Sequence, residues 1–475
     1  MQLIWFRHDL RLHDHTALWH ASQTERCVAV VILSPEQWIA HQDATIKIDF
    51  YLRQLHNLKQ QLSALNIPLV ILKIDLWRDI PAALDKLTQD LHIKTVHANI
   101  EFGLNESERD LQVQQLLQKN NKSLLLYHDR SLFPVGSILN LSQQPYKVFG
   151  AFKKAAYVQL HISLPKCMPD ITAQAPLDPH PLWDTAIPTM AELNLESIPK
   201  QQQALWPVGE TKALQRLDDF IAHDVAAYAQ ARDLPHLDQT SHLSAYLNIG
   251  ILSIRQCLQA LFRRQQGQLH IDNPGQQIWL DELLWREFYQ HILCHFPRVS
   301  RHQPFKLQTQ QIQWRDAPED LSAWQHGRTG IPIVDAGMRQ LLATGWMHNR
   351  VRMITAMFLS KNLLIDWRLG EQWFMQHLID GDLAANNGGW QWCASTGVDS
   401  TPYFRIFNPI TQSQRFDENG DYIRLWVPEL AHLDAKRIHD PYLKQPDLEL
   451  DYPRPIVDLK ASRLRAIAAF KTAQS

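Results

Sequence analysis

The chain has 475 residues, 45% hydrophobic and 20% charged, which is enough for two or three domains with sizeable cores and excludes disorder, a collagen-like repeat and a disulfide scaffold. Lys and Arg number 47 against 49 Asp and Glu, a formal net charge of -2, so no overall basicity marks a non-specific nucleic-acid binder and only a local basic groove stays open. The five cysteines (Cys27, Cys167, Cys257, Cys294 and Cys393) never form a C-x-x-C pair, which argues against zinc and fits a reducing compartment. Arg7 and Asp9 interrupt the start before a signal-peptide core could form, and the longest apolar runs, such as Val28–Leu33, are strand-sized. A cytoplasmic protein without a membrane segment is expected.

Taken in chain order, Leu3–Phe6, Val28–Leu33, Leu69–Leu72, Thr95–Ala98 and Leu124–Tyr127 read as strands, with Lys47–Leu65 and Glu106–Gln118 among the helices between them. Nearly continuous apolar strands separated by helices predict a parallel sheet covered on both faces, a doubly wound α/β domain. No G-x-G-x-x-G follows the first strand. Arg7, Asp9, Arg11 and Asp14 stand there instead, so a flavin or nicotinamide is expected in another domain. From 129 to 209 the periodicity dissolves among prolines, Pro165, Pro176 and Pro188 among them, which predicts a long connector. Helical periods then dominate at Thr211–Ala229, Ser253–Gln265, Trp279–Cys294, Ile333–Thr344, Val351–Leu364 and Glu371–Leu378. The expected organisation is an α/β domain over 1–128, a connector over 129–209 and an all-α domain over 210–475.

Several segments of the helical half carry chemistry. Thr240-Ser241-His242-Leu243-Ser244 opens a helical segment, and hydroxyls with backbone N–H groups there suit a phosphate or an ordinary N-cap. Within Trp279–Ile292, Leu280, Leu284, Phe288 and Ile292 face a core, while Glu282, Trp285, Arg286 and Tyr289 share another face. Glu282 and Arg286 are spaced for an ion pair on a solvated face, whereas an indole and a phenol beside them suit a cleft for a flat aromatic ligand. Arg350 and Arg352 cannot share a helix face and are expected to serve different partners, one a phosphate and one an internal carboxylate. Asp380-Gly381-Asp382 followed by Asn386-Asn387-Gly388-Gly389-Trp390-Gln391-Trp392 is the densest polar-aromatic run. Its glycines allow close approach or positive φ. Its two aspartates could serve a metal or acid–base chemistry, but the His and Glu spacing of a metal site is absent. A flavin, whose N–H and ribose hydroxyl groups donate to carboxylates and carboxamides, is the better match.

In this order, WFRHDLRLHD from Trp5, TSHLS from Thr240, WLDELLWREFY from Trp279, GWMHNRVRM from Gly345, IDGDLAANNGGWQW from Ile379 and PYFRIFNP from Pro402 resemble the photolyase/cryptochrome family, and within it the folate-type class I cyclobutane pyrimidine dimer DNA photolyases. The resemblance covers essentially the whole chain. It implies an antenna-binding first domain and a catalytic second domain holding FAD in a folded U shape. It assigns the flavin to Tyr228, Thr240, Ser241, His242, Leu243, Ser244, Trp279, Arg286, Asn349, Arg352, Asp380, Gly381, Asp382 and Asn386. Arg352 would pair with Asp380 against the ring system. Asn386 would face the flavin N5, where plant cryptochromes usually carry Asp, and its carboxamide would help to retain the anionic reduced flavin.

The implied reaction is light-driven repair of UV-damaged DNA, in which a flipped-out cyclobutane pyrimidine dimer is split by an electron from excited FADH⁻. Glu282 would hydrogen-bond the dimer and stabilise its radical anion, Trp285 and Met353 would pack against its bases, and Asn349 would contact them. Arg232, Arg286, Arg350 and Gln412 would contact the DNA near the lesion. Trp390, Trp367 and Trp314 match the tryptophan chain that reduces the flavin, a role separate from repair. His41, Asn105, Glu106 and Arg301 match the site of a methenyltetrahydrofolate antenna, with Arg301 where relatives often have lysine and Gly150-Ala151 where they often have Thr-Pro. The implied enzyme is a carbon–carbon lyase, a monomer without an obligatory protein partner, membrane or metal.

Three rivals share parts of this pattern. A cryptochrome receptor has the same flavin fold without repair and commonly adds a long C-terminal tail, for which the end soon after Ala466-Ile467-Ala468 leaves no expected room. A six-four photolyase needs a histidine pair, one of them at the position of Asn349. A dark flavin oxidoreductase needs a nicotinamide site, for which there is no fingerprint.

Overall fold

The computed structural model describes residues 1–263, 265–443 and 449–473. Contacts divide the chain into two compact units, Met1–Ala226 with Ser241–Pro297 and Ala227–Thr240 with Arg298–Ser475. The first contains β1 (Gln2–Phe6), α1 (Thr16–Ser22), β2 (Cys27–Leu33), α2 (Thr45–Ala64), β3 (Leu69–Lys73), α3 (Ile80–Asp90), β4 (Thr95–Asn99), α4 (Leu104–Lys119) and β5 (Ser123–Tyr127). All five expected strands form, and they pair in parallel in the order β3-β2-β1-β4-β5. Leu3 lies opposite Val28 on one side and Val96 on the other. Helices on both faces bury β2 almost entirely, which is why its sequence, CVAVVIL, is apolar at every position. The order reverses at β1, so the crevice of a doubly wound sheet opens at the carboxyl ends of β1 and β4.

Charged side chains fill that region. Arg7 pairs with Asp110 at 2.7 Å, and Arg109 donates to Glu101 at 2.9 Å while stacking over both Trp5 and Trp77. Burial would raise the Glu101 carboxyl, but Arg7, His8 and Arg109 outweigh it and hold the group well below the usual carboxylate range. Arg7 and its neighbours are therefore structural ion-pair partners in place of the missing glycine-rich turn.

The rest of this unit contains α5 (Phe149–Ile162), α6 (Glu210–Asp219), α7 (Ile254–Leu261) and α8 (Pro274–His295). Helix α5 lies within the expected connector over 129–209: its Phe149, Phe152, Ala156 and Leu160 are buried, and Phe152 meets Phe288 of α8 at 5.3 Å. The contacts also group 210–226 and 241–297 with the α/β sheet, whereas the sequence pattern groups them with the helical half. Polar bonds explain the grouping. Arg255 of α7 donates to Asp14 at 2.9 Å and Asp129 at 2.7 Å, Arg11 donates to Asp129 at 2.5 Å, and Glu287 of α8 accepts from the Leu132 and Phe133 amides. The expected helix Thr211–Ala229 does not run through: α6 ends at Asp219 and a wide π-type turn, Phe220–Asp224, follows.

The second unit is helical, with α9 (Pro332–Thr344), α10 (Asn349–Met357), α11 (Trp367–His377), α12 (Leu383–Ala394), α13 (Pro409–Phe416) and α14 (Leu459–Thr472). Helix α9 starts with Pro332 in its first turn and ends at Gly345, whose φ of 72° suits glycine. Helix α10 continues without a break into a π-helical stretch, Phe358–Leu363, so the helical segment ends where its period predicts. Asp366, Asp382, Asn408 and Asp458 cap the helices that follow them. One core joins Met338, Leu341, Val351, Ile354, Trp367 and Trp390. Among the described residues no helix is long and apolar enough to cross a membrane.

Candidate functional site

In the helical unit, α10 sorts its side chains by face. Arg352 turns to Asp380, with Nη2 at 2.9 and 3.1 Å from the two carboxylate oxygens, and its Nε donates to the Met347 carbonyl at 2.7 Å. Arg350 turns away to Asp233 at 2.8 Å and lies over the Phe416 ring. The two arginines thus have different partners, as their spacing predicts, but the expected phosphate ligand Arg350 meets a carboxylate. Asn349, exposed in the first turn, follows His348, whose Nδ1 accepts from the Arg350 amide. Met353 is half-buried and packs against the core of the helical unit.

The polar-aromatic run becomes the start of α12. Asp382 caps it, accepting from the Ala385 amide at 2.9 Å, and Asn386 donates its amide to the Glu371 carbonyl at 2.9 Å. That bond fixes the Asn386 side chain and leaves its Oδ1 as an acceptor. Gly388 and Gly389 lie inside the helix, none of Gly381, Gly388 and Gly389 has a positive φ, and a Cβ at Gly389 would meet open space, so the run forms no left-handed turn. Tyr228 is buried beneath the Arg232 guanidinium at 5.7 Å, and Arg232 lies 3.8 Å from Asp233. The Thr240 hydroxyl is buried with no partner among the described residues, which suits a ligand group. Gln412 is half-buried on α13 and Arg301 is exposed after α8. The acceptors Asp380, Asp382 and Asn386, with the Arg352 guanidinium among them, fit a flavin with its N–H groups, hydroxyls and pyrophosphate. Among the described residues no group of His, Cys, Asp and Glu could hold a metal ion.

Trp367 and Trp390 are both nearly sealed from solvent, and Trp314 packs partly buried against the same core. Trp390 is ringed by Phe374 at 5.0 Å and Trp324 at 5.9 Å, neither of which the sequence pattern singles out. Their signal, aromatic residues in a core-facing helical period, is that of any packed helix.

In the α/β-containing unit, α8 presents the two faces expected of it. Leu280, Leu284, Phe288 and Ile292 are buried, and Glu282, Trp285, Arg286 and Tyr289 are half-buried. Trp285 stacks on Phe149 of α5 at 3.6 Å and 12°, and Arg286 donates to the Arg130 carbonyl at 2.8 Å. Trp279 is buried against Phe220. Ser241, His242, Leu243 and Ser244 precede a five-residue helix, Ser244–Asn248. Its N-cap residue is Leu243 and no side chain caps it, so the ordinary hydroxyl cap does not form, and His242 adopts a positive φ of 49°. His41 and Asn105 meet at 2.9 Å. Gln37 shares the same His41 nitrogen at 3.0 Å, and Trp77 meets the ring edge-on. Glu106 lies in the first turn of α4, where a carboxylate is favoured, and folds back over Gly103.

The model of the DNA photolyase domain matches residues 2–170, and that of the FAD binding domain of DNA photolyase matches 279–472. The chain belongs to the DNA photolyase family. A deoxyribodipyrimidine photo-lyase from Escherichia coli is 42% identical over 99% of this chain and 98% of its own length. A bacterial class III photolyase from Agrobacterium tumefaciens superposes with a TM-score of 0.86 at 34% identity, covering 100% of this chain and 97% of the other. A Synechocystis cryptochrome superposes almost as well, with a TM-score of 0.85 at 29% identity and 99% coverage of both chains. Photolyase and cryptochrome thus share this fold, and the FAD-binding photolyase domain spans Arg352 and Asn386 on their helices and Asp380 in the turn before α12.

Proposed function

We propose that the protein is a light-driven DNA repair lyase that splits cyclobutane pyrimidine dimers with an electron from bound FAD. The observation that carries this reading is the fixed constellation of Arg352 paired with Asp380 and Asn386 tied to the Glu371 carbonyl, within the segment matching the FAD binding domain. Because the fold is common to a cryptochrome, the choice of repair rests on sequence, 42% identity to a photo-lyase over the whole chain.

A bound flavin in its reduced anionic form would supply the photoexcited electron. Arg352 and Asp380 would hold the ring system, and Asn386, its amide tied to the Glu371 carbonyl, would offer Oδ1 to it as an acceptor. Tyr228, Trp279 and the segment from Thr240 to Ser244 bind the remainder of the cofactor, with Gly381 and Asp382 beside Asp380. Glu282 hydrogen-bonds the dimer. Trp285, already flattened against Phe149, offers a rigid stacking surface, and Met353 and Asn349 complete the contacts. Arg232, Arg350, Arg286 and Gln412 contact the strand. Trp314, Trp367 and Trp390 would pass electrons to the flavin when it is oxidised. His41, Asn105, Glu106 and Arg301 hold a methenyltetrahydrofolate antenna, and the enzyme works as a cytoplasmic monomer.

An amide at Asn349 cannot titrate near neutral pH, which suits ring splitting without a proton shuttle. The test uses oligonucleotides carrying either a cyclobutane dimer or a six-four product, incubated with reduced protein under near-ultraviolet light. Repair of the first alone is expected. Glu282→Ala is expected to lower that repair at unchanged flavin content, since a charge-assisted hydrogen bond of about 1.5–3 kcal/mol is lost. Turnover of the six-four product, or none of the dimer, would sink the assignment.

A further inference from the structure

Trp390 meets α11 at a position that has no side chain. Gly370 lies one turn after Trp367 and one turn before Phe374, so the three positions share one face of α11. A Cβ at Gly370 would lie 2.2 Å from Cη2 and 2.6 Å from Cζ3 of Trp390, and 2.5 Å from Cδ2 of Leu359. The benzo edge of the Trp390 indole therefore rests on the helix backbone, in a notch between the Trp367 and Phe374 positions. Glycine is a poor residue for a helix interior, and here the approaching ring requires it. Trp390 is 2% exposed and its indole N–H has no acceptor among the described residues. A ring that has lost an electron there finds no protein group to take its proton, so its charge persists until an electron arrives.

We propose that Gly370 is a positioning residue of the tryptophan relay, its missing side chain setting how closely Trp390 approaches the Trp367 face of α11 and hence how fast an electron passes from Trp367 to oxidised Trp390. The proposal rests on the reading that Trp390, Trp367 and Trp314 reduce the flavin. In the step one electron leaves the Trp367 indole and fills the vacancy on Trp390, and no bond breaks. The vacancy moves on to Trp314, where one electron from a soluble thiol reductant fills it.

The test compares full-length, flavin-loaded Gly370→Ala, Trp390→Phe and the double variant with the parent. Gly370→Ala is expected to keep its flavin and its repair activity when chemically pre-reduced, to change the near-ultraviolet circular dichroism of the indoles, and to slow photoreduction by about tenfold or more. Its thermal midpoint should fall, and the double variant, whose smaller phenyl ring leaves room for the methyl group, should recover part of that fall. Photoreduction of Gly370→Ala at the parent's rate, with Trp390→Phe inactive in photoreduction, would overturn the role of Gly370 alone. Photoreduction of Trp390→Phe at the parent's rate would overturn the relay and the proposal with it. Purely additive losses in the double variant would also overturn the proposal. Should Gly370→Ala fail to fold, Gly370→Ala with Leu359→Ala, which removes the second obstructing group, carries the same photoreduction comparison.

Discussion

Asp380 holds Arg352 through both carboxylate oxygens from a site that is itself almost fully buried. Removing one partner of such a pair leaves the other charge poorly compensated, so the pair is a demanding arrangement to keep without a ligand to orient. Asp380→Ala should therefore lower flavin retention, read as the ratio of flavin to protein absorbance after purification, and Asp380→Asn should lower it less. Equal flavin in Asp380→Ala and the parent would remove the pair from the cofactor site. Arg350 poses a different question, because Asp233 occupies the guanidinium that is proposed to contact a phosphate. If a phosphate displaces Asp233, Arg350→Ala should reduce the salt slope of lesion-DNA binding by up to about 0.9 for one lost contact. Arg232→Ala should do the same, and unchanged slopes and affinities in both would take them out of the interface.

At the scale of elements, the sequence made the sheet legible because a strand buried on both faces has no choice but continuous apolar side chains, as in Val28–Leu33. Helix α8 was legible because Leu280, Leu284, Phe288 and Ile292 repeat on one face. Helix α5 was not: prolines crowd the chain beyond it, and its buried Phe149 and Phe152 gain meaning only from Trp285 and Phe288, more than a hundred residues away. The partner of Arg352 could be foreseen from a family resemblance, whereas Asp233 beside Arg350 and Gly370 beneath Trp390 carry no local signal. The start of α8 shows two local devices of different strength. Asn273 accepts from the Gln276 amide at 3.0 Å, and Asn273→Ala should cost about 1 kcal/mol in urea unfolding. At Gly275 a Cβ would sit 1.9 Å from the Val225 carbonyl oxygen, so Gly275→Ala should cost clearly more. The reverse order would mean that the backbone there yields easily.

For the whole molecule, buried charge sets the pH range of stability. Burial alone would raise Asp129, but Arg11 and Arg255 outweigh it and hold the carboxyl far below its ordinary value, and Glu101 is depressed by Arg7, His8 and Arg109. A depressed carboxyl contributes stability above its unfolded value, about 4, and that contribution is lost as pH falls below it. Two histidines act in the opposite sense. The hydrogen bond to Glu210 raises His13, and the hydrogen bond to Glu371 raises His302. Their contribution is complete below the ordinary histidine value, about 6.5, and is lost as pH rises through their raised values. Both histidines are half-exposed, so the alkaline limb should be shallow and the acid limb steep. The thermal midpoint should accordingly be highest between about pH 5 and 6.5, the interval in which both sets are ionised in the folded state. Glu210→Gln should flatten the alkaline limb without moving the acid one. Asp129→Asn should lower the midpoint throughout, because Arg11 and Arg255 lose a buried counter-charge, and should also make the acid limb less steep. An acid limb of unchanged slope in Asp129→Asn would show that other carboxylates, and not the Arg11–Asp129–Arg255 cluster, govern acid unfolding.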